Sequence, residues 1–203
     1  MSATALITGF EPFAGQDVNE SWQAVQLLAE NYEKSRLVRS ADSNVNIITQ
    51  LLPVTFDGAF PALKAALETA GEVDLILATG LDMGGTAVKV EQVAQNLTNA
   101  RIPDNAGVQP TGQPVIIGGH ETLAATVPVA RVAEALRRAG LPTEISNSAG
   151  AFVCNALFYQ LMEFAGHSGI PAGFIHVPPA NALAVVESAR ALEVVIAEVL
   201  CGA

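Results

Sequence analysis

Basic residues and cysteines are both scarce in this sequence. Its 203 residues include ten Lys and Arg against 20 Asp and Glu, which gives a formal net charge of −10. Nucleic acids and anionic membrane surfaces bind basic patches, so we expect neither as a partner. Cys154 and Cys201 lie far apart and form no CxxC motif, which argues against a disulfide scaffold and a cysteine-rich zinc site. We therefore expect a protein of the reducing cytoplasm, with Cys201 as a structural or surface thiol.

Long apolar runs are also missing, although half of the residues are apolar. No run reaches the roughly 18–20 residues that a membrane span needs. The first ten residues contain no basic segment and lead directly into a strand pattern, so we expect no signal peptide. The apolar surplus fits strands that are covered on both faces, together with an interface between subunits.

The order of apolar patterns predicts one domain over residues 1–203, a doubly wound α/β/α sandwich around a mostly parallel sheet. Strands are predicted where short apolar runs end at turn residues, and helices where apolar residues recur every three or four positions. The predicted strands cover residues 5–10, 45–52, 73–79, 144–148 and 172–177. The predicted helices cover residues 22–32, 56–67, 129–136, 153–165 and 183–200, and Asn19 is the predicted cap of the first.

Two segments fit this pattern poorly. Residues 87–97 alternate weakly, which predicts one strand or a hairpin that lies off the sheet. Residues 99–125 show no clear period and contain three prolines and several glycines. Irregular segments of this length are uncommon inside domains, and they are either functional or solvated excursions.

Cys154 follows a predicted strand and a turn at Gly150, and it falls in the first turn of the next predicted helix. Amide N–H groups and the helix dipole at this position favour a nucleophilic thiolate. Ligands of doubly wound sheets bind outside the carboxyl ends of strands, where we expect this turn to lie. The alternative is a structural cysteine, since cysteine is often a small buried hydrophobe.

A nucleophilic cysteine needs a base, and the sequence offers three histidines. His167 lies in a polar stretch that we expect to be an exposed loop, and His120 lies in the long irregular segment. His176 is near the end of the apolar strand GFIHV, which places it at the carboxyl edge of the sheet, about one strand from Cys154. A hydrogen-bonded core histidine is the alternative. Glu91 and Asp104 are both candidates for the group that orients the imidazole, and spacing does not choose between them.

Four segments resemble the type I pyroglutamyl peptidases, also called pyrrolidone-carboxylate peptidases. ITGFEPFAG at residues 7–15 is similar to the N-terminal signature of that family, and ARIPDN at residues 100–105 to its long-loop signature. SAGAFVCN at residues 148–155 resembles the segment around the family's catalytic cysteine. GFIHVP at residues 173–178 resembles the segment that holds its histidine. The resemblance covers nearly the whole chain, with the motifs in the family's order.

The resemblance implies a cysteine exopeptidase that hydrolyses the amide bond after an N-terminal pyroglutamyl residue. It implies Cys154 as nucleophile, His176 as base, Glu91 as third triad member and a thioester intermediate. Arg101 matches an arginine near the scissile carbonyl, where it can stabilise the oxyanion together with the Cys154 N–H. The residues that match the substrate pocket are Phe10, Phe13, Asn19, Leu81, Ile102, Phe152 and Val153. A homotetramer in the cytoplasm, without metal or cofactor, is the expected form.

The substrate chemistry agrees with these residues. A pyroglutamyl group is a small, flat, neutral lactam, so an apolar slot with a few hydrogen bonds is enough to bind it. A charged N-terminus would be desolvated without a partner in such a slot, which explains why ordinary N-termini would be excluded.

The sequence departs from the family's usual pattern around Glu91. Lys89 stands where the family has Ser or Thr, and Gln92 where it has a basic residue. The other departures in this segment are Leu81, Met83 and Thr86. Two alternatives remain open on this ground: a cysteine amidase acting on another small acyl or lactam group, and a non-catalytic binding protein that keeps the pocket.

Overall fold

Six strands form one central sheet in the computed structural model, which describes residues 3–36 and 45–202. They are β1 (Ala3–Phe10), β2 (Val45–Leu52), β3 (Leu75–Leu81), β4 (Val88–Glu91), β7 (Thr143–Ser146) and β8 (Ala172–Val177). Two short strands, β5 (Val93–Gln95) and β6 (Thr122–Ala124), pair outside that sheet. The helices are α1 (Glu20–Arg36), α2 (Ala59–Ala70), α3 (Val129–Arg138), α4 (Val153–Ser168) and α5 (Val185–Leu200). The predicted domain of residues 1–203 also includes residues 1–2, 37–44 and 203, which lie outside the described part.

The central sheet has the order β2-β1-β3-β8-β4-β7 and is mixed. β1, β2, β3 and β8 run parallel, whereas β4 is antiparallel to β8 and parallel to β7. The connection from β3 to β4 explains the reversal. Residues 82–87 are fewer than the dozen or so residues that a parallel crossover needs. The predicted α/β class with a mostly parallel sheet is confirmed.

Alternate side chains of each strand face two different helical layers. Leu77 and Val177 lie in a core cluster with α1, α3 and α5. Ala78 and Phe174 lie in a second cluster with α2 and α4, on the opposite face. Residues two apart in a strand share a face, so His176 faces the same layer as Phe174. This layer contains the helix that carries Cys154.

Residues 87–97 combine the two forms predicted for them. The first part is β4, a member of the central sheet, and the second is β5, which pairs with β6. The chain changes sheets at Gln92, whose N–H bonds to Ser146 O at 2.7 Å and whose carbonyl accepts from Ala125 N at 2.9 Å. The expectation of a segment wholly off the sheet is therefore wrong for β4. The irregular segment 99–125 contains β6 at its end and a bridge between Thr98 and Gln113.

The strand predicted at residues 144–148 is shifted, and its direction was not foreseen. β7 ends at Ser146, which bonds locally to Ser148 and turns the chain. Because β7 runs against β8, its carboxyl end does not lie at the edge where β3 and β8 end. The expected reason for the placement of Cys154 is therefore wrong. Residues 147–152, with Gly150 at φ 80°, carry the chain back to the carboxyl ends of β3 and β8.

Within the described ranges, every helix is too short or too polar to cross a lipid bilayer.

Candidate active site

Cys154 is the second residue of α4. The helix begins after Phe152, whose backbone is extended, and no side chain among the described residues caps its first turn. The first amides of an α-helix have no intrahelical acceptor and carry the positive end of its dipole. Cys154 is a free thiol of intermediate exposure. Its position therefore combines access from solvent with the positive end of a helix dipole.

His176 and Glu91 form a buried pair beside it. Glu91 Oε1 lies 2.8 Å from His176 Nδ1, and the glutamate is fully buried. Burial opposes a charged imidazole, but the hydrogen bonds with Cys154 and Glu91 outweigh it and raise the pKa of His176 to about 10. Since Nδ1 faces Glu91, Nε2 is the ring nitrogen left for Cys154. The imidazole therefore holds its proton at neutral pH, between the sulfur and the carboxylate.

Gly80 makes room for this arrangement. It is the β3 partner of His176 in the sheet register. A Cβ atom at position 80 would lie 2.8 Å from Cys154 Sγ and 3.1 Å from His176 Cδ2. The sulfur and the imidazole thus meet over a residue that has no side chain, at the carboxyl ends of β3 and β8.

A pocket of about 240 Å³, counted with its open mouth, lies beside Cys154. It is lined by Phe10, Phe13, Asn19, Val54, Leu81, Phe152, Val153 and Cys154. The Phe152 ring is 6.1 Å from the Phe13 ring and 5.4 Å from the Phe56 ring, between ring centroids. Apart from the cysteine, the lining side chains are uncharged, so the pocket fits a small neutral group. Six of the seven predicted pocket residues line it, and the exception is Ile102.

Asn19 holds the pocket together and also caps α1. Its Oδ1 accepts hydrogen bonds from Ser21 N at 3.1 Å and from Ser21 Oγ at 2.8 Å, which is the geometry of the predicted cap. Its Nδ2 donates to the Glu11 carbonyl at 3.0 Å, and Phe10 N donates to Ser21 Oγ at 3.1 Å. The amide therefore ties the end of β1 to the start of α1, and one of its two N–H bonds remains for a ligand.

Arg101 and Ile102 are exposed on the loop that follows β5. On one side of them, Asn99 N donates to Ala151 O at 2.8 Å, three residues before the nucleophile. On the other side, Asn105 N donates to Val54 O at 3.0 Å, on the pocket wall. Both anchors belong to the pocket's surroundings, so Arg101 and Ile102 lie on a short span at its rim.

Asp104 is not part of the histidine pair. Its Oδ2 accepts from Phe56 N at 2.9 Å, and its Oδ1 accepts from Ala106 N at 2.9 Å and Val108 N at 2.8 Å. The carboxylate is buried and shapes the rim loop through backbone hydrogen bonds. Of the two candidates for an orienting carboxylate, the structure therefore brings Glu91, and not Asp104, to His176.

The other two histidines lie elsewhere. His120 is exposed, and its carbonyl accepts a hydrogen bond from Tyr159 Oη at 2.7 Å. His167 is exposed too, but it lies in the last turn of α4 and not in the predicted loop, with Nδ1 2.7 Å from Glu163 O. Cys201 is an exposed free thiol after α5.

Lys89, one of the departures around Glu91, forms an ion pair. Lys89 Nζ lies 2.6 Å from Asp82 Oδ2. Burial opposes the charge of Asp82, yet the hydrogen bond from Lys89 lowers the pKa of Asp82, and the same bond raises the pKa of Lys89. Met83, Thr86 and Gln92 are exposed.

Three residues of the site were missed from the sequence. Val54 is part of the pocket wall and comes from the β2–α2 connection, which carries no sequence signal of a site. Asp82 becomes a partner for Lys89 only through the sheet pairing. Gly80 does carry a sequence signal, because a glycine next to or within a strand indicates a close approach by another group.

In residues 3–36 and 45–202, no three His, Cys, Asp or Glu side chains come together in a group that could hold a metal ion.

The sequence and the fold both match known proteins. A sequence model of the family described as pyroglutamyl peptidase matches residues 3–199. Pyrrolidone-carboxylate peptidase from Gloeobacter violaceus is 41% identical over 174 residues, which cover 85% of this chain and 80% of that protein. The protein of the same name from Erwinia tasmaniensis is 39% identical over 173 residues, 85% of this chain and 76% of its own length.

Solved structures with the same fold carry similar descriptions. The crystal structure of pyroglutamyl peptidase I from Bacillus amyloliquefaciens matches with a TM-score of 0.87 and 32% identity, covering 98% of this chain and 95% of that one. Pyrrolidone carboxyl peptidase from Thermococcus litoralis matches with a TM-score of 0.85 and 29% identity, covering 98% and 93%.

Proposed function

The chain belongs to the pyroglutamyl peptidase family and is a hydrolase of that kind, and on this basis we propose how it acts. It is a cysteine exopeptidase that hydrolyses the amide bond after an N-terminal pyroglutamyl residue. Cys154 is the nucleophile, His176 carries the proton and Glu91 orients His176. The observation that carries this proposal is the buried 2.8 Å contact of Glu91 with His176, next to Cys154 at an uncapped helix start.

The first half of the reaction forms a thioester. The Cys154 thiolate attacks the pyroglutamyl carbonyl carbon, and a C–S bond forms while the carbonyl electrons move to oxygen. The tetrahedral intermediate then expels the amine, and His176 gives its Nε2 proton to the departing nitrogen. The raised pKa of His176 supports this order, because the proton is already on the imidazole before the substrate arrives.

The second half hydrolyses the thioester. The neutral imidazole of His176 takes a proton from water, whose oxygen attacks the thioester carbonyl. The C–S bond breaks, pyroglutamate leaves, and the thiolate and the imidazolium are restored. The Glu91 carboxylate stabilises the imidazolium whenever His176 is charged.

The oxyanion lies near the start of α4 in this proposal. The Cys154 N–H belongs to the first turn and has no intrahelical acceptor, so it can donate to the developing charge. Arg101 is the proposed second donor. It is exposed on the rim loop, between the anchors at Ala151 and Val54.

The pocket supports a lactam as the acyl group. Its lining is apolar apart from Asn19 and Cys154, and it contains no carboxylate that could pair with an ammonium group. Phe10, Phe13, Phe152 and Val153 form apolar walls in the proposal. The unused N–H of Asn19 Nδ2 is a candidate donor to the lactam carbonyl, whereas Ile102 contacts the peptide beyond the ring.

Hydrolysis of matched coumarin amides tests the function. We expect turnover of pyroglutamyl-aminomethylcoumarin, and kcat/KM lower by about 10³-fold or more for the prolyl amide, which has the same ring without the carbonyl. Cys154→Ser should lose at least about 10³-fold in kcat. Cys201→Ser is the matched control, since that cysteine is exposed and outside the pocket, and it should keep full activity.

Each alternative has its own outcome in this assay. Equal turnover of prolyl or alanyl amides would mean an amidase of another specificity. Binding of pyroglutamate without any turnover, together with Cys154 that iodoacetamide does not label at neutral pH, would mean a non-catalytic protein. A Cys154→Ser variant as active as the wild type would disprove the assigned nucleophile.

We also propose that the chain works as a homo-oligomer in the cytoplasm, a tetramer by family resemblance. The described surface contains exposed apolar side chains such as Ile117, which is 91% exposed, and Val186, which is 54% exposed. Light scattering after size-exclusion chromatography measures the assembly directly, and a monomer at micromolar concentration would contradict it.

A further inference from the structure

The ion pair of Asp82 and Lys89 crosses over a strand of the active site. Its members come from the end of β3 and from β4, which are not neighbours, because β8 lies between them. The register places Gly80, His176 and Lys89 side by side on β3, β8 and β4. Asp82 follows Gly80 by two residues and therefore belongs to the same face. The pair thus spans β8 at the level of His176.

Both members are held in place by the backbone. Asp82 N donates to Val177 O at 2.9 Å, and the Asp82 carbonyl accepts from Gly85 N at 2.9 Å. Its Oδ1 also accepts from Gly84 N at 3.3 Å. Lys89 is the central-sheet partner of His176 on the antiparallel strand. The sheet register and the turn therefore bring the carboxylate and the ammonium group together across β8.

The charges of the two pairs alternate in sign. The Asp82 carboxylate attracts the His176 imidazolium, and the Lys89 ammonium attracts the Glu91 carboxylate. The attraction of Lys89 matters for Glu91 because only one oxygen of the Glu91 carboxylate is paired. Its Oε1 contacts His176, but its buried Oε2 has no hydrogen-bond partner among the described residues. A buried carboxylate with one unpaired oxygen is unfavourable unless another cation lies close to it.

We propose that Asp82 and Lys89 are positioning residues, which hold the charged His176–Glu91 dyad in place by completing a set of four charges of alternating sign. The proposal rests on the proposed catalytic role of His176. The effect of the two charges on the pKa of His176 does not depend on that role, however, and it can be measured without substrate. Removing one member should leave the other as an uncompensated charge beside the dyad, and the two single variants should therefore act in opposite directions.

Histidine NMR titration in a Cys154→Ala background measures this effect. That background removes the thiol that helps to raise the pKa of His176, so the titration moves to a more accessible pH. His176 is assigned by the signal that disappears in His176→Gln. Among the described residues, Cys154 and Glu91 act on His176 directly. Lys89 is its partner on β4, Asp82 of the β3–β4 connection interacts with it through charge, and Glu144 of β7 acts on Lys89.

The two single variants have opposite expected results. Asp82→Asn should lower the pKa of His176 by about 0.5 unit, as expected when one charge that does not contact the ring is removed from a partly solvated site. Lys89→Met should raise it by a similar amount. The double variant should return to within about 0.2 unit of the background, because both charges are gone, and Lys89→Arg should do the same, because it keeps the charge.

Glu187→Gln is the matched control. Glu187 forms a part-exposed ion pair with Arg190 at 3.0 Å on α5, which packs on the other face of the sheet. Its removal should leave the titration unchanged. Single variants that shift the pKa of His176 in the same direction, or by no more than this control, would overturn the proposal, even if they melt at lower temperature.

Activity separates this inference from the proposed function. In the enzyme with Cys154, Asp82→Asn should move the alkaline limb of the pH profile of kcat downward by the same amount of about 0.5 unit. This shift reduces kcat about threefold at pH values above the pKa of His176 and leaves kcat nearly unchanged at pH 8, with KM within twofold, because neither residue lines the pocket. Opposite pKa shifts without any pyroglutamyl hydrolysis would sustain the four-charge arrangement and reject the peptidase reaction. Normal hydrolysis without the pKa shifts would support the peptidase reaction and reject the four-charge arrangement.

Discussion

Replacing Gly80 by alanine tests the close approach of Cys154 to His176. The new methyl group would lie 2.8 Å from Cys154 Sγ, 3.0 Å from Phe174 Cζ and 3.1 Å from His176 Cδ2. Non-bonded heavy atoms prefer separations of about 3.5–4.0 Å, so the sulfur has to move by about 1 Å. Phe174 is fully buried and can yield little, which leaves the nucleophile as the group that shifts.

This displacement should reduce the rate far more than the stability. A misplacement of about 1 Å typically costs on the order of 100-fold in rate, and we expect that loss in kcat for the pyroglutamyl amide. Overpacking of the core costs about 1–3 kcal/mol, so circular dichroism should show a melting temperature lower by a few degrees. KM should change by less than about threefold, since Gly80 does not line the pocket.

Gly84→Ala provides the control in the turn that follows. An added Cβ at Gly84 would meet no atom of the described residues within 4 Å, and its backbone is outside the left-handed region. This variant should keep wild-type kcat. If Gly80→Ala also stays within about threefold of wild type in kcat while it is folded, the sulfur and the imidazole do not meet over this glycine, and the deduced geometry is wrong.

Three further predictions concern the dyad and the pocket. Glu91→Gln should lower kcat about 10²–10⁴-fold at similar KM in the coumarin assay, and a loss below tenfold would mean that another group orients His176. The pKa of His176 is about 10 in the folded state against an ordinary value of 6.5, so its contribution to stability is complete below pH 6.5 and is lost as pH rises through about 10. Urea titrations should show a free energy of unfolding that falls over this range, with a smaller fall in Glu91→Gln, and equal falls would contradict the pairing. Asp104→Ala should raise KM about tenfold, because the rim loop loses three hydrogen bonds from backbone amides to this carboxylate. Phe13→Ala should also raise KM, because it removes a wall of the pocket. An unchanged KM in either variant would mean that the residue does not contribute to the site.

Much of the fold could be predicted because its core strands are continuous apolar runs. Residues 45–52 and 172–177 have the predicted bounds of β2 and β8. β4 is only four residues long, and its direction depends on the length of a turn and on a strand that enters the sheet later in the chain. Local periodicity does not report on the turn length or on a strand that comes later in the chain. The sequence therefore did not predict that β4 joins the central sheet or that it runs antiparallel to β8.

The candidate site could also be predicted only in part from the sequence. Cys154 was placed correctly at a helix start because Gly150 and the helical pattern are local signals. The choice between Glu91 and Asp104 depended on pairing between β4 and β8, which are about 85 residues apart in the chain. The pair of Asp82 and Lys89 needed the same pairing, and for that reason it appeared only in the structure.

The reversed strand β4 also limits which changes of strand register the sequence can tolerate in evolution. Val88 and Val90 face one helical layer, and Lys89 and Glu91 face the other. A shift of β4 by one residue against β8 would exchange the two sets, so that the carboxylate would enter an apolar core and a valine would face the imidazole. The connection of residues 82–87 therefore has to deliver β4 in this register, and within it the exposed Met83 and Thr86 are less constrained than Asp82.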